Sequence, residues 1–177
     1  MKKFARYIAA DNQVKWLFAN EKGSFFEIEG DPFTHYDITD REINPSEIKI
    51  TAPSEPTKIV AAGLNYSDHA RELNMKIPEE PVLFIKPATS VIGPEEKIII
   101  PAGAGRVDYE GELAVVIRND CRNLDEGLVD MNIMGYTCFN DVTARDLQNK
   151  DGQWTRAKSF DTFSPCVPFM ARGEDID

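Results

Sequence analysis

The side chains of this sequence able to do chemistry are four carboxylates, an arginine with a glutamine three residues on, a histidine beside a glutamate, and one lysine in apolar company. In "RVDYEGELAVVI", read as a strand, Asp108, Glu110 and Glu112 point to one face and Val107, Tyr109, Leu113 and Val115 to the other. The continuation "LAVVI" suggests burial on both faces beyond Glu112. Carboxylates buried at this spacing repel and raise each other's pKa unless a cation sits between them. The competing reading is a half-exposed strand with a solvated acidic side. An all-oxygen donor set suits a hard ion, Mg²⁺, Mn²⁺ or Ca²⁺, over zinc or copper. A third carboxylate is then needed, and Asp141 in "FNDVTARDLQ", at a strand-to-helix transition, is the best candidate. If the chain is helical from Asp141, Arg145 and Gln148 share its face and a carboxylate, a guanidinium and an amide converge. An i,i+4 surface pair of Asp141 with Arg145 is the plainer alternative.

His69 and Glu72 are neighbours if "SDHARELNM" is a helix, opened by Ser67 or Asp68 as N-cap. A carboxylate beside an imidazole orients it and raises its basicity, as a general base acting on water requires. An exposed helix pair would look the same. Lys158 in "WTRAKSFDTFSP" lies close to Phe160 and Phe163, a setting in which an ammonium could stabilise an enolate or oxyanion, or simply snorkel at the surface. His35, beside Phe33 and Tyr36, reads as structural.

These groups need a frame. The 177 residues, 42% hydrophobic and 28% charged, suffice for one folded domain with a small appended one. Over residues 1–50, "FARYIAA", "VKWLFAN" and "SFFEIEGDPF" alternate with turn residues and predict a small antiparallel β domain. The proline-rich residues 51–57 read as a linker, and residues 58–177 as the catalytic domain. That domain is expected to be mostly β: "KIVAAGLNY", "EEPVLFIKP" and "KIIIP" are strand-like, "RVDYEGELAVVIRN" is the longest strand, and "GLVDMNIMGYTCFNDVTARDLQ" runs from strand into helix.

Thirty acidic against twenty basic side chains give a net charge of −10 with no compensating basic run, which argues against nucleic acid or an anionic membrane as partner. No segment approaches a membrane-spanning length and "MKKFARYIAADNQ" lacks an apolar leader core, so a cytoplasmic protein is expected. Cys121, Cys138 and Cys166 have neither disulfide nor zinc spacing and are expected to be buried thiols. The sequon at Asn65 carries no weight without a secretory signal.

Taken in order, "KIVAAGLNYSDHARELN", "EPVLFIKPATSVIGP", "RVDYEGELAVVI", "GYTCFNDVTARDLQ" and "QWTRAKSFDTFSP" resemble the successive motifs of the fumarylacetoacetate hydrolase superfamily, from about Lys58 to Pro168. The N-terminal fifty residues look like the small β domain of its bacterial members. The resemblance implies an α+β fold, a mixed β-sandwich roll with few helices, in a homodimer holding one Mg²⁺ or Mn²⁺. It implies Glu110, Glu112 and Asp141 as metal ligands, Arg145 and Gln148 as contacts to substrate oxygens, Lys158 as the motif lysine, and His69 with Glu72 as a dyad on a lid helix. Gly63, Asn65 and Tyr66 match the loop before that helix, with Asn65 and Tyr66 on the substrate side.

The activity so implied is metal-dependent hydrolysis of a C–C bond in acylpyruvate- or fumarylacetoacetate-like β-diketo acids through an enolate. Isomerisation or decarboxylation of 2-oxo or 2-hydroxydienoic dicarboxylates, as by 2-hydroxyhepta-2,4-diene-1,7-dioate isomerase or oxaloacetate decarboxylase, shares that enolate and stands as the alternative. The sequence ends at "ARGEDID", where members of the superfamily continue through further strands, so missing C-terminal strands are expected. A non-catalytic, shortened relative that binds metal or a dicarboxylate is the third reading.

Overall fold

The computed structural model describes residues 2–66, 71 and 78–172. The stretch predicted as the His69 helix lies outside the described residues, apart from Arg71. The N-terminal segment supplies β1 (Lys3–Ile8), β2 (Val14–Ala19), β3 (Phe25–Gly30), β4 (Tyr36–Glu42) and the short β5 (Lys49–Thr51). After residues 52–57, which carry neither helix nor strand, come β6 (Lys58–Gly63), β7 (Val82–Pro87) and β8 (Val91–Ile92). The remainder holds β9 (Val107–Asp108), β10 (Gly111–Ile117), β11 (Ile133–Asn140), β12 (Thr143–Ala144), α1 (Arg145–Asp151), α2 (Thr155–Lys158), β13 (Ser164–Pro165) and β14 (Met170–Ala171). The mainly β character with few helices is the one read from the sequence.

The main sheet runs β10-β11-β14-β1-β2-β3-β4, with β5 also paired to β1. The N-terminal strands therefore do not make a sheet of their own. Phe4 faces Met170 across the β1–β14 pairing, and the core packs around that seam: Phe4, Ile28, Met134 and Met170 are buried together, with Trp16, Phe18 and Tyr36 against them. Burying aromatic and aliphatic side chains of this size contributes roughly 1.5–3 kcal/mol each before the entropy of ordering them. Behind β1, Tyr7 donates to Glu27 at 2.8 Å, and Lys15 and Arg41 pair with the same carboxylate at 3.3 and 3.1 Å.

Two expectations need correction. The run from Arg106 to Asn119 is not one strand, and the longest strand among the described residues is β11. The run breaks at Tyr109–Glu110 because it changes partner: β9 pairs with β12, whereas β10 pairs with β11. Beyond Glu112 the strand is also not buried on both faces. Leu113, Val115 and Ile117 are exposed on one side of β10, while Ala114 and Val116 alternate with them on the covered side.

The cysteines likewise differ from expectation, since Cys121 and Cys138 are exposed and only Cys166 is partly covered. Cys138 sits on the outward-facing register of β11, between buried Thr137 and Phe139. Burial pushes the Cys166 thiol up to about 11. His35 is an exposed surface residue near Asp37.

A smaller core of Ala104, Val142, Ala144, Ala157 and Phe163 supports α1 and α2. Gly152, at φ 66°, ends α1 in a left-handed turn whose N–H reaches the Gln148 carbonyl at 3.3 Å, so the helix stops before Trp154 and α2 can turn back. β6 and β7 form an antiparallel pair with Gly63 opposite Val82. One face carries the exposed Val60, Leu83 and Ile85; the other carries Phe84 and Lys86.

Candidate active site

Two short antiparallel pairings bring the acidic residues together. Where β10 begins and β11 ends, Gly111 lies opposite Asn140, and just beyond, the Asp141 N–H donates to the Glu110 carbonyl at 2.9 Å. The Asn140 side chain accepts the Glu110 N–H at 3.1 Å. Further along, Thr143 lies opposite Asp108, and the Arg145 N–H donates to the Arg106 carbonyl at 2.7 Å. Residues 106–112 and 140–145 thus run side by side, and their polar side chains line one cleft of about 1010 Å³.

Gly105 sets the start of this arrangement. At φ 69° it turns the chain so that the Arg106 N–H meets the Asp146 carboxylate at 2.9 Å. A Cβ there would lie 2.2 Å from Asp146 Oδ2.

Inside the cleft the charges alternate. Lys158, 3% exposed, donates to Glu110 Oε2 at 2.6 Å and to Asp141 Oδ2 at 2.7 Å. Arg145 bridges Glu110 Oε1 at 2.5 Å and Asp108 Oδ2 at 2.9 Å, and its third edge reaches Gln148 Oε1 at 2.6 Å. Arg106 closes the chain on Asp108 Oδ1 at 2.8 Å. At the inner end Lys86, fully buried, donates to Asp141 Oδ1 at 2.6 Å and to the Lys158 main-chain carbonyl. A cation thus stands between Asp108 and Glu110 and another between Glu110 and Asp141, whereas Glu112 is met by the neutral Asn65 amide.

The electrostatics follow that order. Burial pushes the Glu110 carboxyl up, but Lys158 and Arg145 together hold it below the usual carboxylate range. Hydrogen bonds from Arg106 and Arg145 hold Asp108 below it as well. Burial pulls the Lys86 ammonium below an ordinary lysine, and the Asp141 charge opposes that pull without cancelling it.

Of the predicted site residues, Glu110, Glu112, Asp141, Arg145, Gln148, Lys158, Asn65 and Tyr66 all line the cleft. Asn65 donates to Glu112 Oε2 at 3.1 Å, which turns that carboxylate to the β6 side. His69 and Glu72 lie outside the described residues. Asp141, Arg145 and Gln148 meet by a different route from the one expected: the helix begins only at Arg145, and Asp141 stands in the corner before β12 rather than on the helix face. Lys86 was missed. Its only signal was a lysine inside the apolar run "VLFIKP".

An aromatic wall completes the cleft. Phe84 packs edge-on against Trp154, with ring centroids 5.5 Å apart, and Lys158 Nζ lies 5.2 Å over the Phe84 ring. Trp154 in turn presses on Gly63, where a Cβ would lie 2.3 Å from the indole.

Among the described residues no three His, Cys, Asp or Glu side chains converge as a ready metal cluster. Two of the expected ligands nevertheless fit a hard cation. Glu110 and Asp141 each aim one oxygen at the same point, where the Lys158 ammonium now lies, and Glu112 faces the same cleft from the side.

Residues 58–177 match the family model described as fumarylacetoacetate (FAA) hydrolase C-terminal. The chain belongs to the fumarylacetoacetate hydrolase superfamily. An uncharacterized protein of Archaeoglobus fulgidus is 59% identical over 152 residues, a match covering 85% of this chain and 59% of that protein. The chain thus spans about three fifths of that relative's length.

Solved structures in the superfamily superpose on the whole chain. The 2-hydroxyhepta-2,4-diene-1,7-dioate isomerase from Mycobacterium marinum does so with a TM-score of 0.87 at 36% identity, over 68% of its own length. A fumarylacetoacetate hydrolase from Exiguobacterium antarcticum gives 0.84 at 28% identity, over 69% of its length.

Proposed function

We propose that this chain carries the active site of a Mg²⁺- or Mn²⁺-dependent enzyme that hydrolyses a C–C bond in acylpyruvate- or fumarylacetoacetate-like β-diketo acids. The observation that carries the reading is the convergence of Glu110 and Asp141 on one cation position at the floor of a cleft whose wall holds Arg145 and Gln148. With Glu112 these two carboxylates would hold the metal, which when bound supplies Lewis-acid polarisation of the substrate's oxygens.

The chain's own residues do the rest. Arg145 offers a guanidinium to the substrate carboxylate, and Gln148 an amide to a carbonyl. Lys158 rests on the Glu110 and Asp141 carboxylates and against the Phe84 ring, and with a metal held there its ammonium would move aside and offer its charge to the developing enolate oxygen. His69 with Glu72 is the proposed pair that activates water. The water oxygen adds to the acyl carbonyl carbon and the bond from that carbon to the methylene breaks. Its electron pair enters the departing oxo acid as an enolate, and a proton returned to the methylene carbon yields, beside the released carboxylate, a 2-oxo acid from an acylpyruvate or a 3-oxo acid from a fumarylacetoacetate-like substrate.

A second reading is isomerisation of a 2-hydroxydienoic dicarboxylate, in which a proton moves but no water is consumed. It is favoured by the higher identity to the Mycobacterium marinum isomerase, 36% against 28% for the hydrolase. Decarboxylation of a 2-oxo dicarboxylate uses the same enolate. Turnover of acetylpyruvate, fumarylpyruvate, oxaloacetate and a 2-hydroxymuconate-type diene, with Mg²⁺ or Mn²⁺ and then with EDTA, separates these reactions. Loss of an acylpyruvate that EDTA and Glu110→Gln both abolish is the expected result, and full metal-dependent turnover in E110Q would refute the reading.

A further inference from the structure

We propose that Lys86 is a positioning residue for the metal site, one that fixes the Asp141 carboxylate and the end of α2 with a single buried ammonium. The inference rests on the reading above that Asp141 is a metal ligand. Three observations support it. Lys86 is completely buried, on the inner face of β7, a place where a lysine is rare unless paired. Its Nζ is spent on two acceptors from different parts of the chain: Asp141 Oδ1 in the corner after β11, and the main-chain carbonyl of Lys158 at the last residue of α2. Both contacts are buried.

The consequence is geometric. A carboxylate in a corner has two free torsions, and binding one oxygen from behind leaves the other with one direction. Here that direction is the point shared with Glu110 Oε2, where Lys158 Nζ is met at 2.7 Å. Because the same ammonium grips the Lys158 carbonyl, the backbone of the motif lysine and the carboxylate of Asp141 are set from one anchor on a third element. A partner behind a ligand, orienting it and satisfying its second oxygen, typically changes metal affinity ten- to a hundredfold when removed.

Orientation and charge make opposite predictions, which is what allows a test. If Lys86 acts merely as a nearby positive charge, replacing it by an apolar residue of similar length relieves repulsion and tightens cation binding. If it positions Asp141, the same replacement loosens binding. The experiment is Mn²⁺ binding by the full chain, followed by electron paramagnetic resonance of the free ion, for wild type and Lys86→Met, each checked for native circular dichroism. The expected result is at least tenfold weaker Mn²⁺ binding in K86M. Equal or tighter binding overturns the proposal while leaving the metal reading intact. A wild-type chain with no Mn²⁺ affinity overturns the metal reading, and this role with it. Should K86M not fold, Lys86→Arg, which keeps the charge but not the reach of a single ammonium, takes its place: tenfold weaker binding supports positioning, and wild-type affinity refutes it.

Discussion

Replacing Gly63 by alanine tests whether the aromatic wall is as tightly fitted as the distances imply. A Cβ at residue 63 would lie 2.3 Å from Trp154 Cζ3 and 2.7 Å from Cη2. Carbon atoms at rest sit about 3.5–4.0 Å apart, so the indole must retreat by more than 1 Å. It cannot retreat freely, because its ring packs edge-on against Phe84, and Phe84 carries Lys158 Nζ over its face. Overpacking of this kind costs about 1–3 kcal/mol, which for a chain of this size is roughly 2–12 °C in Tm. Urea denaturation and thermal melting of Gly63→Ala measure the loss. Trp154 emission, read in a Trp16→Phe background, reports the movement of the ring. The decisive control is the double variant: in a Trp154→Ala background the two contacts under 3.0 Å, both with the indole, are gone and G63A should cost almost nothing. An unchanged melting point in G63A alone, or an equal cost with and without the indole, would refute the account of Gly63 as a residue required for space.

Arg145→Lys removes a fork that serves Asp108, Glu110 and Gln148 at once, and one ammonium cannot reach all three. Turnover of the preferred substrate is expected to fall at least tenfold with fold retained by circular dichroism. In the Tyr7–Glu27 pair, burial pushes Glu27 up, but Tyr7, Lys15 and Arg41 lower it on balance. Its contribution is therefore present above the unfolded carboxylate range near pH ~4.3 and lost as pH falls through the depressed folded value. Stability of Glu27→Gln against wild type should differ by about 1–3 kcal/mol at neutral pH and converge in acid. Tyr7 itself is pushed up to about 12 by burial and by Glu27. Its contribution is complete below pH ~10 and lost as pH rises through the folded value. Alkaline difference spectra of Tyr7→Phe against wild type check this, and a Tyr7 titrating near pH ~10 would contradict it.

That Glu110, Asp141, Arg145, Gln148 and Lys158 line one cleft was legible in the order and wording of their motifs, since each signal alone also fitted a solvated surface. What joined them was not. The alternation of "RVDYEGELAVVI" continues unbroken through Tyr109 and Glu110, yet the strand ends there because β9 and β10 find different partners, Asp108 opposite Thr143 and Gly111 opposite Asn140. Pairing of this range leaves no local trace. The same holds for β1 against β14, which ties the first residues to the last described ones and turns an expected separate sheet into part of a larger one. Lys86 was invisible for another reason. A lysine ending an apolar strand ordinarily snorkels to water, and only the position of Asp141 in space shows why this one does not.

The β6–β7 pairing has a bearing on how such a site could diversify. Gly63 and Val82 face each other across the pair, so the segment between them departs from and returns to one rim of the cleft. Closing a longer loop between fixed ends costs only about 0.6 kcal/mol per doubling of length. Insertions, deletions or wholesale exchange of that segment could therefore accumulate while β6, β7 and the Lys86 anchor keep their register. Asn65 and Tyr66, at its first turn, already line the cleft, so substitutions there would alter what is admitted and leave the charge ladder below untouched. Between the paired ends Gly63 and Val82 the sequence can change in length at small cost while the register of β6 and β7 holds.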